Sequence, residues 1–181
     1  MTELLTLREE ACECRKCPEL VASRTKVVFS DGNPHAPLMI VGEAPGATED
    51  RDGLPFVGEA GQLLDSILQA CKWTRNDVYI TNTVLCRPPN NRVPTEDERH
   101  NCRKYLDAQI EAVKPKCLLL LGSTASQNLL GGGVVSLRGR WHEYKGVPTI
   151  VTFHPGYLLR NPDDKKLVGQ DLRLLLTKMR S

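Results

Sequence analysis

Four short apolar runs punctuate the chain, and each leads into a stretch with helical spacing. Residues 37–42 (Pro-Leu-Met-Ile-Val-Gly) are apolar up to a closing glycine, which predicts a buried strand. Leu63, Leu64, Ile67 and Leu68 then recur on one helix face. Residues 78–81 read as a second strand running into Asn82. Thr95 with Glu98 forms a capping-box pattern, opening a helix with Cys102, Tyr105, Leu106, Ile110 and Val113 on one side. Residues 116–122 give a third strand, with Ser123 placed to cap a short helix after it. Residues 148–153 give a fourth, and Asp163 or Asp164 opens a last helix towards Met179. Strands apolar on both faces that alternate with helices belong in a parallel sheet covered on two sides. The expected fold is α/β: one three-layer α/β/α domain over residues 1–181, with a central four-stranded parallel sheet.

Composition narrows the function classes. With 40% hydrophobic and 25% charged residues, the 181-residue chain has a globular balance and is neither disordered nor fibrous. No apolar run approaches the roughly 20 residues that a membrane-spanning helix requires. The first residues carry Glu3, Glu9 and Glu10 and no apolar core, so they do not read as a secretory signal, and an intracellular, cytoplasmic location is expected. The net charge of +2 permits a nucleic-acid partner without demanding one. Seven cysteines, an odd number, argue against a disulfide framework and for thiols or a metal centre.

In an open parallel sheet, ligands sit outside the carboxyl ends of the strands. Residues 42–61, Thr81-Asn82 and His154-Pro155-Gly156 all follow predicted strands, so they converge on one rim. Gly42-Glu43-Ala44-Pro45-Gly46 offers small residues for close approach of a ligand, but it is neither a dinucleotide fingerprint nor a phosphate-binding loop of the Walker type. Taken singly, Glu43 and Asn82 read as turn residues, Phe56 as a core aromatic and His154 as a loop histidine. Together, a carboxylate, an aromatic ring, an amide and an imidazole on one rim suit a flat polar heterocycle. Arg138, Arg140, Lys145 and Arg160 lie near the same strand ends, where they could meet phosphates or simply face solvent.

Cys14 and Cys17 form a C-x2-C pair in a charged stretch, whereas Cys86 and Cys102 are separated by fifteen residues. A thiolate quartet binds zinc or an iron–sulfur cluster, and the spacing alone leaves both open. Cys71 and Cys117 read as buried small hydrophobes, and Cys12 is a spare neighbour.

Four ordered motifs, G-E-A-P-G, E-D-x-x-G-L-P-F-V-G-x-A-G, T-N-T-V-L-C-R-P-P-x-N-R-x-P-T and H-P-G-Y-L-L-R-N-P, resemble those of the iron–sulfur uracil-DNA glycosylases, family 4. The resemblance runs from Cys14 to about Arg173. It implies a [4Fe-4S] cluster on Cys14, Cys17, Cys86 and Cys102, and so favours iron. It also implies that the Gly42–Ala44 backbone, Glu43 included, lines a uracil pocket and that Phe56 stacks on the flipped base. Asn82 would read the Watson–Crick edge, and His154 would lie against uracil O2. Pro155, Gly156, Tyr157 and Arg160 would press on DNA. Other branches carry a water-activating aspartate where this chain has Ala44, so Glu43 is the nearest carboxylate for that task and joins His154 as the expected catalytic pair. A crosslinking branch replaces the CRPP loop by a histidine-bearing insert; this chain keeps Cys86-Arg87-Pro88-Pro89, which points to hydrolytic turnover.

The implied activity is hydrolysis of the N-glycosidic bond of uracil in single- or double-stranded DNA by a monomer, leaving an abasic site for base excision repair. The competing readings are a same-fold DNA-binding or redox module whose cluster is the working part, and a same-fold enzyme acting on mismatched thymine or other bases with little uracil excision.

Overall fold

The computed structural model describes all 181 residues. Helices α1 (Thr2–Cys12) and α2 (Pro18–Ser23) precede a short strand β1 (Asp31–Gly32) and the first full strand β2 (Leu38–Gly42). After α3 (Ala47–Asp52) and α4 (Glu59–Ala70) come β3 (Val78–Asn82), α5 (Glu96–Val113) and β4 (Cys117–Leu121). The chain continues through α6 (Ser123–Leu130), α7 (Val134–Leu137), β5 (His142–Tyr144), β6 (Val147–Thr152), α8 (Pro155–Arg160) and α9 (Lys165–Met179).

The strands form one sheet in the order β1-β3-β2-β4-β6-β5. The four central strands are parallel, as the apolar runs predict. The expected central four-stranded parallel sheet is present and is extended at its edges, where β1 and β5 add antiparallel partners. These are two and three residues long, too short to leave a hydrophobic period. Side-chain alternation along the central strands divides the core in two. Met39, Val41, Leu118 and Leu120 pack on one face with Tyr105 and Leu106 of α5, while Leu38, Ile40, Leu119 and Leu121 pack on the other with Leu64 of α4 and Leu172 of α9. These are the three layers of an α/β/α fold.

Local signals behave as their chemistry requires, with one exception. The Thr95–Glu98 capping box forms in both directions, Glu98 N donating to Thr95 Oγ1 at 3.2 Å and Thr95 N to Glu98 Oε1 at 2.9 Å. Ser123 does not cap α6; Gly122 does, and Ser123 Oγ instead accepts from Val134 N at 3.3 Å.

Candidate active site

The chain leaves β2 for β3 on one side of it and returns to β4 on the other, so the end of β2 is the switch point at which such sheets bind ligands. Gly42 there is in register with Asn82 at the end of β3. Glu43, Ala44, Phe56, Asn82 and His154 line one cleft of about 300 Å³ above these ends. Gly42 lies beneath it: a Cβ there would fall 2.5 Å from both Asn82 Oδ1 and the Phe56 ring, so only glycine lets the amide and the ring meet over the backbone. The Gly42 carbonyl is fixed by Thr83, whose backbone N and Oγ1 both donate to it at 2.8 Å.

Phe56 is buried and sits at φ +54°, an unusual conformation for a bulky residue. Its turn is clamped from two sides. Arg75 donates to the Pro55 carbonyl at 2.8 Å and to the Phe56 carbonyl, while pairing with Asp31 and Asp65. Glu49 accepts from Val57 N at 2.9 Å and Gly58 N at 2.6 Å, and its other oxygen accepts from Gly46 N at 3.0 Å. One carboxylate thus joins the loop after β2 to the loop that carries Phe56. Sequence reading missed both clamps. Glu49 leaves a trace, lying three residues after Gly46 at the spacing of a capping box; Arg75 leaves none.

His154 ends the segment after β6 and caps α8, its Nδ1 accepting from Gly156 N at 2.9 Å. With Nδ1 occupied as an acceptor, a neutral ring carries its proton on Nε2. Burial, and then the charge of Arg160, hold its pKa down at about 4 against a weaker opposing pull from Glu49. The imidazole is therefore a neutral Nε2–H donor at physiological pH. Its ring lies 5.5 Å from that of Phe56, tilted by 30°.

Glu43 is held from the far side of the sheet. Thr124, buried in the first turn of α6, donates through Oγ1 to Glu43 Oε2 at 2.6 Å, leaving Oε1 without that bond. Sequence reading missed Thr124 too, because nothing local links residues 81 positions apart.

Gly156, Tyr157 and Arg160 border a second groove that shares Glu43 and His154 with the cleft, whereas Pro155 is buried and starts α8. The other basic side chains singled out in the sequence are engaged elsewhere. Arg138 pairs with the fully buried Asp171 at 2.9 Å, Lys145 pairs with Asp107 at 3.0 Å before β6, and Arg140 donates to the Ser136 carbonyl.

Cys14, Cys17, Cys86 and Cys102 line a separate, small cavity of about 20 Å³, alongside Leu20, Val27 and Leu85. Arg24 Nη1 reaches Cys86 Sγ at 3.3 Å and Asn101 Nδ2 reaches Cys17 Sγ at 3.6 Å. Burial pushes the Cys102 thiol up to about 12 and also raises Cys17 and Cys86. At Cys14 burial is outweighed by hydrogen bonds from Tyr105 and the Lys16 backbone and by the charges of Lys104 and Lys16, so its pKa is lowered. No three His, Cys, Asp or Glu side chains are grouped tightly enough to hold a single metal ion. Cys71 and Cys117 are buried away from this cavity, and Cys12 is exposed.

The family model described as the uracil DNA glycosylase superfamily matches residues 29–173, which take in the whole rim. The chain belongs to this superfamily. Within it, the similarity is to enzymes named type-4 uracil-DNA glycosylase. The one from Thermotoga maritima is 43% identical over 170 residues, covering 91% of this chain and 88% of that protein. The one from Sulfurisphaera tokodaii is 40% identical, covering 96% and 83%. The one from Pyrobaculum aerophilum is 41% identical, covering 95% and 92%. These matches put this glycosylase-superfamily chain in the type-4 branch.

Proposed function

We propose that the cleft binds a uracil flipped out of DNA and that the chain hydrolyses its N-glycosidic bond, leaving an abasic site. The observation that carries this reading is the pairing of a neutral Nε2–H donor with a buried amide beside one aromatic face. The Phe56 and His154 rings stand too close to admit a base between them. A base lying on Phe56 therefore meets His154 at its edge. Breaking the bond pushes electrons onto the base and leaves positive charge on the sugar. His154 would donate to uracil O2 as charge develops there, and a neutral donor is already in place before it does.

Asn82 would accept from uracil N3–H and donate to O4. Cytosine reverses both groups, and each mispaired buried contact costs on the order of 1–3 kcal/mol, which makes a fixed amide a strong filter. Stacking on Phe56 returns about 1–3 kcal/mol towards base extrusion. Glu43, oriented by Thr124, would align water and offset the cationic sugar. Gly156, Tyr157 and Arg160 would meet the DNA, and Pro155 sets the turn that presents them.

The four-cysteine cavity fits an iron–sulfur cluster. Its donors are all sulfur, its wall is mostly apolar, and N–H groups reach two of the sulfurs. Cys14, Cys17, Cys86 and Cys102 would hold the cluster, here [4Fe-4S], which would tie the N-terminal segment to the loop after β3 and the start of α5. No helix is long and apolar enough to cross a membrane. The reading carries with it an intracellular monomer acting on single- or double-stranded DNA.

The deciding experiment incubates the protein with oligonucleotides containing uracil, thymine or hypoxanthine and measures abasic sites. Excision of uracil is expected; a protein that binds DNA without releasing any base overturns the reading.

A further inference from the structure

The most exposed large hydrophobic side chain of the protein is Val135, at 85%, and Val93 is 61% exposed. They come from different parts of the chain, one from α7 and the other from the loop between β3 and α5. Both line the same groove of about 570 Å³, which has Glu43 and His154 at one side and Arg160 on its border. Neither sits on slack backbone. Val134 beside Val135 is buried, its N–H donates to Ser123 Oγ at 3.3 Å, and its carbonyl accepts from Arg138 N at 2.8 Å. His142 Nε2 contacts the Leu137 carbonyl at 2.6 Å, closing the end of α7. Arg92 pairs with Glu98 and Glu19, each at 2.7 Å, and contacts the Val93 carbonyl at 3.3 Å, while Pro94 behind it is buried. A single exposed hydrophobic side chain is ordinary on a protein surface; what sets these two apart is that anchored backbone brings both into one groove that opens onto the cleft.

We infer that Val93 and Val135 grip the DNA strand on one side of the flipped nucleotide, in a groove continuous with the base cleft. This rests on the cleft being the base site, because the groove is reached through Glu43, His154 and Gly156, which line both. A nucleic-acid strand has the matching two-sided chemistry. Its sugars and base faces are apolar and suit the valines, and its phosphates are anionic and suit Arg160, with Ser123 and Gln127 as neutral hydrogen-bonding groups between. A rigid apolar contact beside the cleft would also keep the neighbouring base from collapsing into the gap that the extruded one leaves.

The test compares wild type, Val135→Ala, Val93→Ala and the double variant in single-turnover excision. One oligonucleotide carries uracil in its middle, and others are trimmed on one side or the other to the flanking nucleotide. With the long substrate, each single variant is expected to need between about three and ten times more enzyme for half-saturation. The plateau rate and the thermal melt should be unchanged. On the substrate trimmed on the gripped side, the difference should vanish. Equal half-saturation for all variants on long DNA overturns the proposal, as does a loss that persists on every trimmed substrate. A Val135→Glu variant that changes only the oligomeric state, with DNA use intact, also overturns it by making the groove a protein interface. If wild type released no uracil, the base-site reading would fail on its own; anisotropy of undamaged single-stranded DNA with the same variants still reads the groove.

Discussion

The cleft at the strand ends and the cysteine cavity differ in what holds them in shape. The cleft is built from groups already satisfied by the protein: the Gly42 carbonyl by Thr83, the Phe56 turn by Arg75 and Glu49, Glu43 by Thr124 and His154 by Gly156 N. Glu43, His154 and the Phe56 turn are thus fixed before a substrate arrives, the condition under which a hydrogen-bond donor contributes most to a transition state. The cavity is the reverse case. Its thiols line an apolar space, and burial holds the protons on three of them. A cluster bound there, as proposed, would have to displace those protons and would complete the structure when it did. One region is finished by folding, and on this proposal the other would be finished by its ligand. Arg92 is the visible link between them, since it lines the cleft and pairs with Glu19, two residues beyond Cys17.

The sharpest way to break this division is His154→Ala. It should lower the single-turnover rate by about 10²–10³, with uracil-DNA affinity and iron content largely kept. A variant that loses iron or melting temperature in step with rate would show that the two regions are one unit. Next comes Asn82→Ala, expected to reduce uracil excision by about tenfold to a hundredfold. Asn82→Asp should improve the relative acceptance of cytosine, since a protonated carboxyl can rearrange its donor and acceptor; competition between uracil and cytosine substrates measures it.

Thr124→Val should slow the chemical step by about tenfold without weakening binding, and Thr124→Ser should restore it. Loss of stability in both variants alike, with no recovery of rate in the serine, would assign Thr124 to packing alone. Cys102→Ser has the smallest expected effect on the plateau rate and the largest on the other region. Iron content should fall and the melting temperature drop by several degrees, while the excision rate of the folded fraction stays within a few-fold. A rate that disappears with the iron would sharpen the comparison instead, by making the Arg92–Glu19 pair the route through which the centre shapes the cleft.

The pH dependence tests the same contrast at lower amplitude. Because the folded pKa of His154, about 4, lies below the ordinary histidine value of 6.5, the unfolded chain takes up this proton first. Its stabilising effect is complete above about pH 6.5 and is lost as pH falls towards 4. Thermal melts should show wild type losing stability across that window more steeply than His154→Gln. The excision rate should hold its His154-dependent part down to about pH 4.

What the sequence determined by itself was whatever depends on near neighbours. The apolar runs at 37–42, 78–81, 116–122 and 148–153 announce themselves because each strand must be buried on both faces, and the rule that ligands gather at strand ends then brings Glu43, Asn82 and His154 to one rim. The motifs carried the family for a similar reason, being short and contiguous. Only the tertiary structure decided which side chains those neighbours answer to. Thr124 reaches Glu43 across 81 positions, Arg75 closes on a turn 19 positions before it, and β1 and β5 exist because a sheet edge was open beside them. It also sorted the basic residues, sending Arg138 to a buried Asp171 and Lys145 to Asp107, while leaving Arg160 at the groove. Periodicity records the face a residue turns to its own element; the partner it meets is set by how the sheet brings distant segments together, and no local pattern carries that.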